Sequence, residues 1–322
     1  MGATAAAGAG ATPEGVDPGA IPEVATFSIV ACDPEEGFWG VAVQSRVPSA
    51  GSIVPAARAG VGAIATQALA NVAYKDEALT LLSDGWTAAE VKDHFVESDP
   101  GIARRQFAIA DAHCNLAVHT GESTSGWAGH RTGDGYSVQG NILTGQEVVD
   151  AMAEAYEEAT REGWLFGERL LHALQAGQEA GGDARGRQGA GILVVREGAG
   201  YQGGDDRYAD LRVEDHVEPI LELRRVWGQW MQVFHPADWY VPRGRQAVSV
   251  PSGAHICELR RMLTALGHDD WDGSGGCALD ENVIPALRAF QREAGLTEAP
   301  AVNAATARAL RDAVAELQEG GP

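Results

Sequence analysis

The sequence predicts an α+β protein: two β-sheets packed face to face with helices on their outer sides, a four-layer αββα sandwich, followed by a small all-α module. Three observations carry this. Strand-like runs at residues 26–31, 38–46 and 60–68 follow one another without a helix between them. A helical pair then intervenes, and strands return before the next helices, the order expected when sheets are covered on their outer faces. Finally, an aperiodic stretch at 233–252, carrying Pro236, Trp239 and Pro242, separates this part from three further amphipathic helices.

The elements follow in order. Thr26-Phe27-Ser28-Ile29-Val30-Ala31 alternates polar and apolar, residues 33–37 supply turn formers, and residues 38–46 return as a second strand, giving a hairpin led by a hydroxyl. Residues 60–68 are small and apolar and end on Thr66 and Gln67, with Asn71 just beyond. Residues 74–95 show helical spacing at Ala78, Leu81, Leu82, Val91 and Phe95, broken at Gly85 and restarted at Thr87 with Glu90 three residues on, a capping box. Two short helices fit that pattern. Strands at 105–110 and 116–120 flank a turn at 112–115, and 136–143 is another strand. Helices at 146–161 and 167–176 lead through a glycine-rich loop to strands at 192–195 and 208–213, and a helix at 217–231 closes the first part. Helices at 258–267, 283–295 and 304–317 make up the module at 253–322.

Composition narrows the function. The chain has 322 residues, 45% of them hydrophobic, enough for one large core and a second small one. A formal net charge of −21 lacks the clustered Lys and Arg that phosphate binding needs, so no nucleic-acid partner is expected. No apolar run approaches the roughly 18 residues that span a bilayer, so no membrane span is expected. Cys32, Cys114, Cys257 and Cys277 show no CxxC pair and no His at zinc-ligand spacing, which indicates neither a zinc site nor a disulfide framework; a Cys257–Cys277 pair is the one bond considered. Residues 1–25, rich in Ala, Gly and Pro, lack the basic and apolar regions of a signal peptide and read as a disordered leader or as a propeptide ending at Ala25, which gives a cytoplasmic expectation.

A threonine heading a buried strand suits N-terminal-nucleophile chemistry, provided the bond before it is cut. Attack on an amide needs a nucleophile, a base and donors for the oxyanion. A chain-terminal Thr supplies the first two, because its own α-amine, with a pKa of about 7.7 to 8.0, can take the proton. In the uncut chain that nitrogen is an amide and cannot, so Thr26 also reads simply as a β-former at a strand start. Asn141, after Gln139-Gly140 at a strand end, is a candidate oxyanion donor, and reads equally as a turn cap. Gln44 and Ser45 lie on the strand expected to pair with Thr26, and alternation sends one of them to each face. Thr66, Gln67 and Asn71 are candidate substrate contacts. His119 and His130 are the best-placed histidines, but no GxSxG elbow exists, so both read first as structural, with His119 kept as a substrate contact. Asp183 and Arg185, with Gln188, lie in a glycine-rich loop and either bind a substrate carboxylate or pair with each other.

Residues 26–33, 40–46, 60–71, 117–121, 127–133, Gln139-Gly140-Asn141 and 181–188 together resemble the DUF1028 family. That family is assigned to the Ntn-hydrolase superfamily of amidases, acylases and the proteasome. The resemblance covers about 26–226 and implies an Ntn-hydrolase sandwich at 26–232, Thr26 as nucleophile, and Ser45 positioning the freed amine. It implies a small-molecule amide substrate and no cofactor, and leaves the substrate unassigned. The alternative is a non-catalytic binding protein that never frees Thr26.

Two motifs lose to their context, and one region resembles a second family. Gly198-Ala199-Gly200-Tyr201-Gln202-Gly203 satisfies GxGxxG, but Asp205-Asp206 and a strand follow where a dinucleotide site needs a helix. Asp270, Asp272, Ser274 and Glu281 match the spacing of a calcium loop, against which Ala278 stands at the ninth position. More residues of 253–322 resemble the peptidoglycan-binding-like fold: Leu259 to Gly267, the Phe290-Gln291 helix, Gly295-Leu296, then Val302, Thr306 and Leu310. The resemblance implies docking to cell wall or to a partner, and a compact three-helix module also suits homo-oligomer formation.

Overall fold

The computed structural model describes residues 26–235, 253–273, 283–296, 298, 302 and 304–319. Among the described residues ten strands form two antiparallel sheets. The larger runs in the order β10 (Arg207–Val213), β9 (Gly189–Val195), β2 (Phe38–Ser45), β1 (Thr26–Asp33), β8 (Tyr136–Leu143), β7 (Trp127–Gly133). The smaller runs β3 (Pro55–Arg58), β4 (Gly62–Ala68), β5 (Arg105–Asp111), β6 (Leu116–Thr120). The expected hairpin is the middle of the larger sheet, with Thr26 opposite Ser45 on one side and opposite Asn141 on the other.

Alternation along each strand assigns its two faces. In β1, Phe27, Ile29 and Ala31 join a core with α4 (Glu147–Arg161), α5 (Phe166–Glu179) and α6 (Pro219–Phe234). Val30 and Cys32 point the other way and meet Trp39, Val41, Val43, Ala63, Ala65, Ala108 and Ala110 between the sheets. The outer face of the smaller sheet packs Ile64, Phe107 and Ile109 against Tyr74, Ala78, Leu82, Val91 and Phe95 of α2 (Ala73–Ser83) and α3 (Ala88–Ser98). The small residues of β4 and β5 let the sheets approach closely, and the Trp39 indole N–H donates to Asp111 O across the gap at 3.1 Å. The Thr87–Glu90 capping box forms as its spacing predicts.

Three short elements went unread in the sequence. β3 opens on Pro55 and β7 is glycine-rich and half-exposed; both lie at sheet edges, where the neighbouring strand supplies the pairing that local propensity does not. α1 (Ala50–Ile53) is a single turn between β2 and β3.

The cysteine reading is corrected. Cys32 near the end of β1 and Cys114 in the β5–β6 turn form a disulfide that joins the two sheets, across a sequence separation of 82 that no local spacing rule detects. Cys257 is disulfide-bonded as well, and Cys277, the one partner considered for it, lies outside the described residues.

The loop at Gly198–Gly203 leads into β10, where a dinucleotide site would need a helix. In the C-terminal region, α7 (Gly253–Ala265), α8 (Val283–Glu293) and α9 (Ala304–Glu319) build a core of their own from Leu259, Leu263, Leu287, Phe290 and Leu310. The buried Gln291 side chain donates to the Thr306 hydroxyl at 3.3 Å. Of the calcium-loop residues, Asp270 and Asp272 are described, while Ser274 and Glu281 lie outside, as do residues 1–25 and most of the connector. Among the described residues no helix is long and apolar enough to cross a membrane.

Candidate active site

At the Thr26 end of β1 the apolar filling between the sheets gives way to polar side chains. The same alternation that points Val30 inward also points Ser28 and Thr26 inward, together with Ser45 from β2, Ser137, Gln139 and Asn141 from β8, Gln67 from β4 and Gln106 from β5. All are buried. A buried amide left unpaired costs roughly 1–3 kcal/mol, so this cluster is stable only because its members satisfy one another.

The Thr26 hydroxyl donates to Ser45 Oγ at 3.2 Å, and the Thr26 carbonyl accepts from Gln67 Nε2 at 3.4 Å. From Ser137 a line of bonds runs through both sheets. Its hydroxyl donates to Gln139 Oε1 (2.8 Å), Gln139 Nε2 to Ser28 Oγ (2.7 Å), Ser28 Oγ to Gln67 Oε1 (2.6 Å) and Gln67 Nε2 to Gln106 Oε1 (2.8 Å). Asn141 Nδ2 donates to that same Gln106 Oε1 at 3.1 Å. Gln106 Nε2 in turn donates to Gly140 O (2.8 Å), Thr120 Oγ1 (3.0 Å) and Gly129 O (3.1 Å).

The buried members of this cluster are hydroxyls and amides throughout. His130 stands at the rim, with Nδ1 3.0 Å from the Thr120 hydroxyl. A nucleophile placed here has a partner for its hydroxyl and an amide donor one strand away, and no charged base among those neighbours.

The structure thus brings together four of the residues singled out from sequence: Thr26, Ser45, Asn141 and Gln67. The others lie elsewhere. Gln44 takes the opposite face of β2 from Ser45, towards the helices, buried with neither amide atom hydrogen-bonded among the described residues. Thr66 takes the opposite face of β4 from Gln67, and its hydroxyl donates to Asn71 O at 3.4 Å, while Asn71 Oδ1 accepts from Ala73 N at the start of α2. His119 also turns away from the inter-sheet space, its ring stacked on Phe107 and its Nε2 3.1 Å from Ile102 O.

Asp183 is buried and pairs with Arg185, whose Nη2 lies 3.1 Å from Oδ2, the structural reading of that loop. The same carboxylate accepts from Arg46 N just beyond Ser45, and Asp183 forms a β-bridge with Leu143. The loop therefore ties together the ends of β2 and β8, the two strands that flank Thr26.

Ser28, Gln106, Ser137 and Gln139 were missed. Their signal was present as parity: each is a polar residue two or four positions from a residue facing the inter-sheet space, in a strand otherwise filled with apolar side chains. Gln106 is the clearest case, since Ala108 and Ala110 follow it on the same face.

The profile of DUF1028, a family of unknown function, matches residues 26–223. The crystal structure of protein SPO2555 from Silicibacter pomeroyi, described as DUF1028, is similar at a TM-score of 0.58 and 30% identity, over 64% of this chain and 89% of that one. No curated protein matches.

Proposed function

The chain belongs to the DUF1028 family, whose function is unknown, and from the surroundings of Thr26 we propose that it is an amidohydrolase of the N-terminal-nucleophile type. On this reading the two helix-covered sheets are the αββα sandwich of Ntn hydrolases. One observation carries the proposal: the Thr26 hydroxyl sits at the head of a central strand, bonded to Ser45 and surrounded by neutral hydroxyls and amides. On this reading the base is the free α-amine that Thr26 acquires on cutting, which takes the hydroxyl proton directly or through a water.

The steps follow from the positions. The Ala25–Thr26 bond breaks first. The Thr26 oxygen then attacks the carbonyl carbon of a small amide or N-acyl compound, and the developing oxyanion takes a hydrogen bond from Asn141 Nδ2, whose amide carries a second N–H beside the one given to Gln106. The protonated amine gives its proton to the departing amine, and water, deprotonated by the same group, releases the acyl group from Thr26.

Thr26 is 0% exposed in the uncut chain, so no substrate meets its hydroxyl there. That burial suits a catalytic role exercised only after cutting, and it equally suits the second reading, a binding protein that is never processed. Intact mass after expression separates the two. Wild-type protein should lose residues 1–25, and Thr26→Ala should stay full length with an unchanged melting profile. Full-length wild-type protein that hydrolyses amides at an undiminished rate would overturn the mechanism.

The C-terminal helices, on their resemblance to the peptidoglycan-binding-like fold, would serve docking to cell wall or to a partner. The sheet-joining disulfide supports an oxidising compartment over the cytoplasm, because thiols are kept reduced there.

A further inference from the structure

Resting on that reading, we infer that Gln106, from the opposite sheet, is the positioning residue that fixes Asn141 as a donor. An Asn or Gln side chain presents an acceptor and a donor of nearly equal shape, so its orientation follows from its partners. The carbonyls of Gly140 and Gly129 can only accept. Both lie within 3.1 Å of one end of the Gln106 amide, which must therefore be the NH₂.

Every other orientation follows from that one. Gln106 Oε1 then faces its neighbours as an acceptor, so Gln67 and Asn141 must each turn an N–H towards it. Gln67 Oε1 is left to accept from Ser28, Ser28 from Gln139, and Gln139 from Ser137. With the NH₂ of Asn141 held on this side, its second N–H is available to an oxyanion. A flipped Asn141 would present its carbonyl oxygen there and repel the developing charge.

The two ends of the line are not equivalent. Orientation is imposed by the backbone carbonyls at the Gln106 end, and Ser137 at the far end, with a hydroxyl that rotates freely, imposes nothing. Loss of Gln106 frees Asn141; loss of Ser137 does not.

The test is a double-mutant cycle on the processed protein, with acetyl-, phenylacetyl- and glutaryl-p-nitroanilide as probes. Gln106→Met should lower kcat by about 10-fold or more with KM within about twofold, a smaller loss than the 10² to 10³ typical of deleting an oxyanion donor. Gln106→Met combined with Asn141→Ala should be no slower than Asn141→Ala alone, since Gln106 acts through Asn141. Ser137→Ala should leave kcat within about twofold. Gln106→Glu keeps the volume and the acceptor oxygens and, when protonated, one donor, so it should recover part of the loss and covers the case in which the Met variant does not fold.

Additive losses in the double variant, or wild-type kcat in a folded Gln106→Met or Gln106→Glu protein, would overturn the inference while leaving the amidohydrolase intact. If the protein is cut but inert towards these probes, the same cycle is read on the rate of cutting. Wild-type protein that is neither cut nor active overturns the proposed function, and this inference with it.

Discussion

At the scale of single residues, the site is governed by what each side chain can donate. Asn141 enters the inter-sheet space from β8, directly across from Thr26 in the register, with one N–H held by Gln106. Replacing it with Ala removes an uncharged donor without changing the charge of the site. We expect kcat for amide hydrolysis to fall by about 10² to 10³ with KM nearly unchanged, the pattern of an interaction made in the transition state. Steady-state kinetics on processed protein checks this, and wild-type kcat would remove Asn141 from the mechanism.

Elements are held in place by two devices remote from the site. The first is a clasp at the C-terminus of α3. Burial alone would raise the Asp99 carboxyl, but the Arg105 guanidinium (2.9 Å), the Tyr74 hydroxyl (2.6 Å) and the Gly101 N–H (2.7 Å) outweigh it and hold it at about 2, below the ordinary 3.8. Tyr74 belongs to α2 and Arg105 to β5, so one carboxylate joins the helical pair to the sheet beneath it. A carboxyl depressed on folding contributes stability that is complete above its unfolded value and disappears as pH falls through its folded one. Asp99→Asn should therefore cost about 1 to 2 kcal/mol at pH 7, and its difference from wild type should close between about pH 4 and pH 2. Thermal melts across that range measure it.

The second device is the Cys32–Cys114 disulfide, which closes a long loop between the sheets. Replacing both cysteines with Ser should lower stability by about 2 to 4 kcal/mol without changing the fold, observed as a lower melting temperature with unchanged far-ultraviolet circular dichroism. An unchanged melting temperature would mean that the bond does not form.

For the whole molecule, the described cores divide between the sheets with α1–α6 and the three C-terminal helices, whose buried residues pack on one another. Deleting residues 253–322 should leave cutting at Thr26, amide hydrolysis and the melting of the remainder largely intact, while changing oligomeric state or surface attachment. Unfolding of the truncated protein, seen by calorimetry, would show the two cores to be one.

The sequence by itself determined the order of elements, the hairpin led by Thr26 and the faces of the longer strands, because period-2 and period-3.6 patterns are local consequences of which side of an element meets water. Parity sends Ser45 and Gln44 to opposite faces of β2, and the register agrees. Three things only the tertiary structure decided. The edge strands β3 and β7 owe their conformation to a neighbour. Cys32 and Cys114 meet because two sheets stack, which no spacing within the chain encodes. And Gln106, in sequence a lone amide at the start of an apolar strand, becomes the centre of the polar cluster only when the facing sheet brings Gly140, Asn141 and Gln67 within hydrogen-bond reach. A hydrogen bond has a direction, and its direction is fixed by partners that the chain supplies from far away.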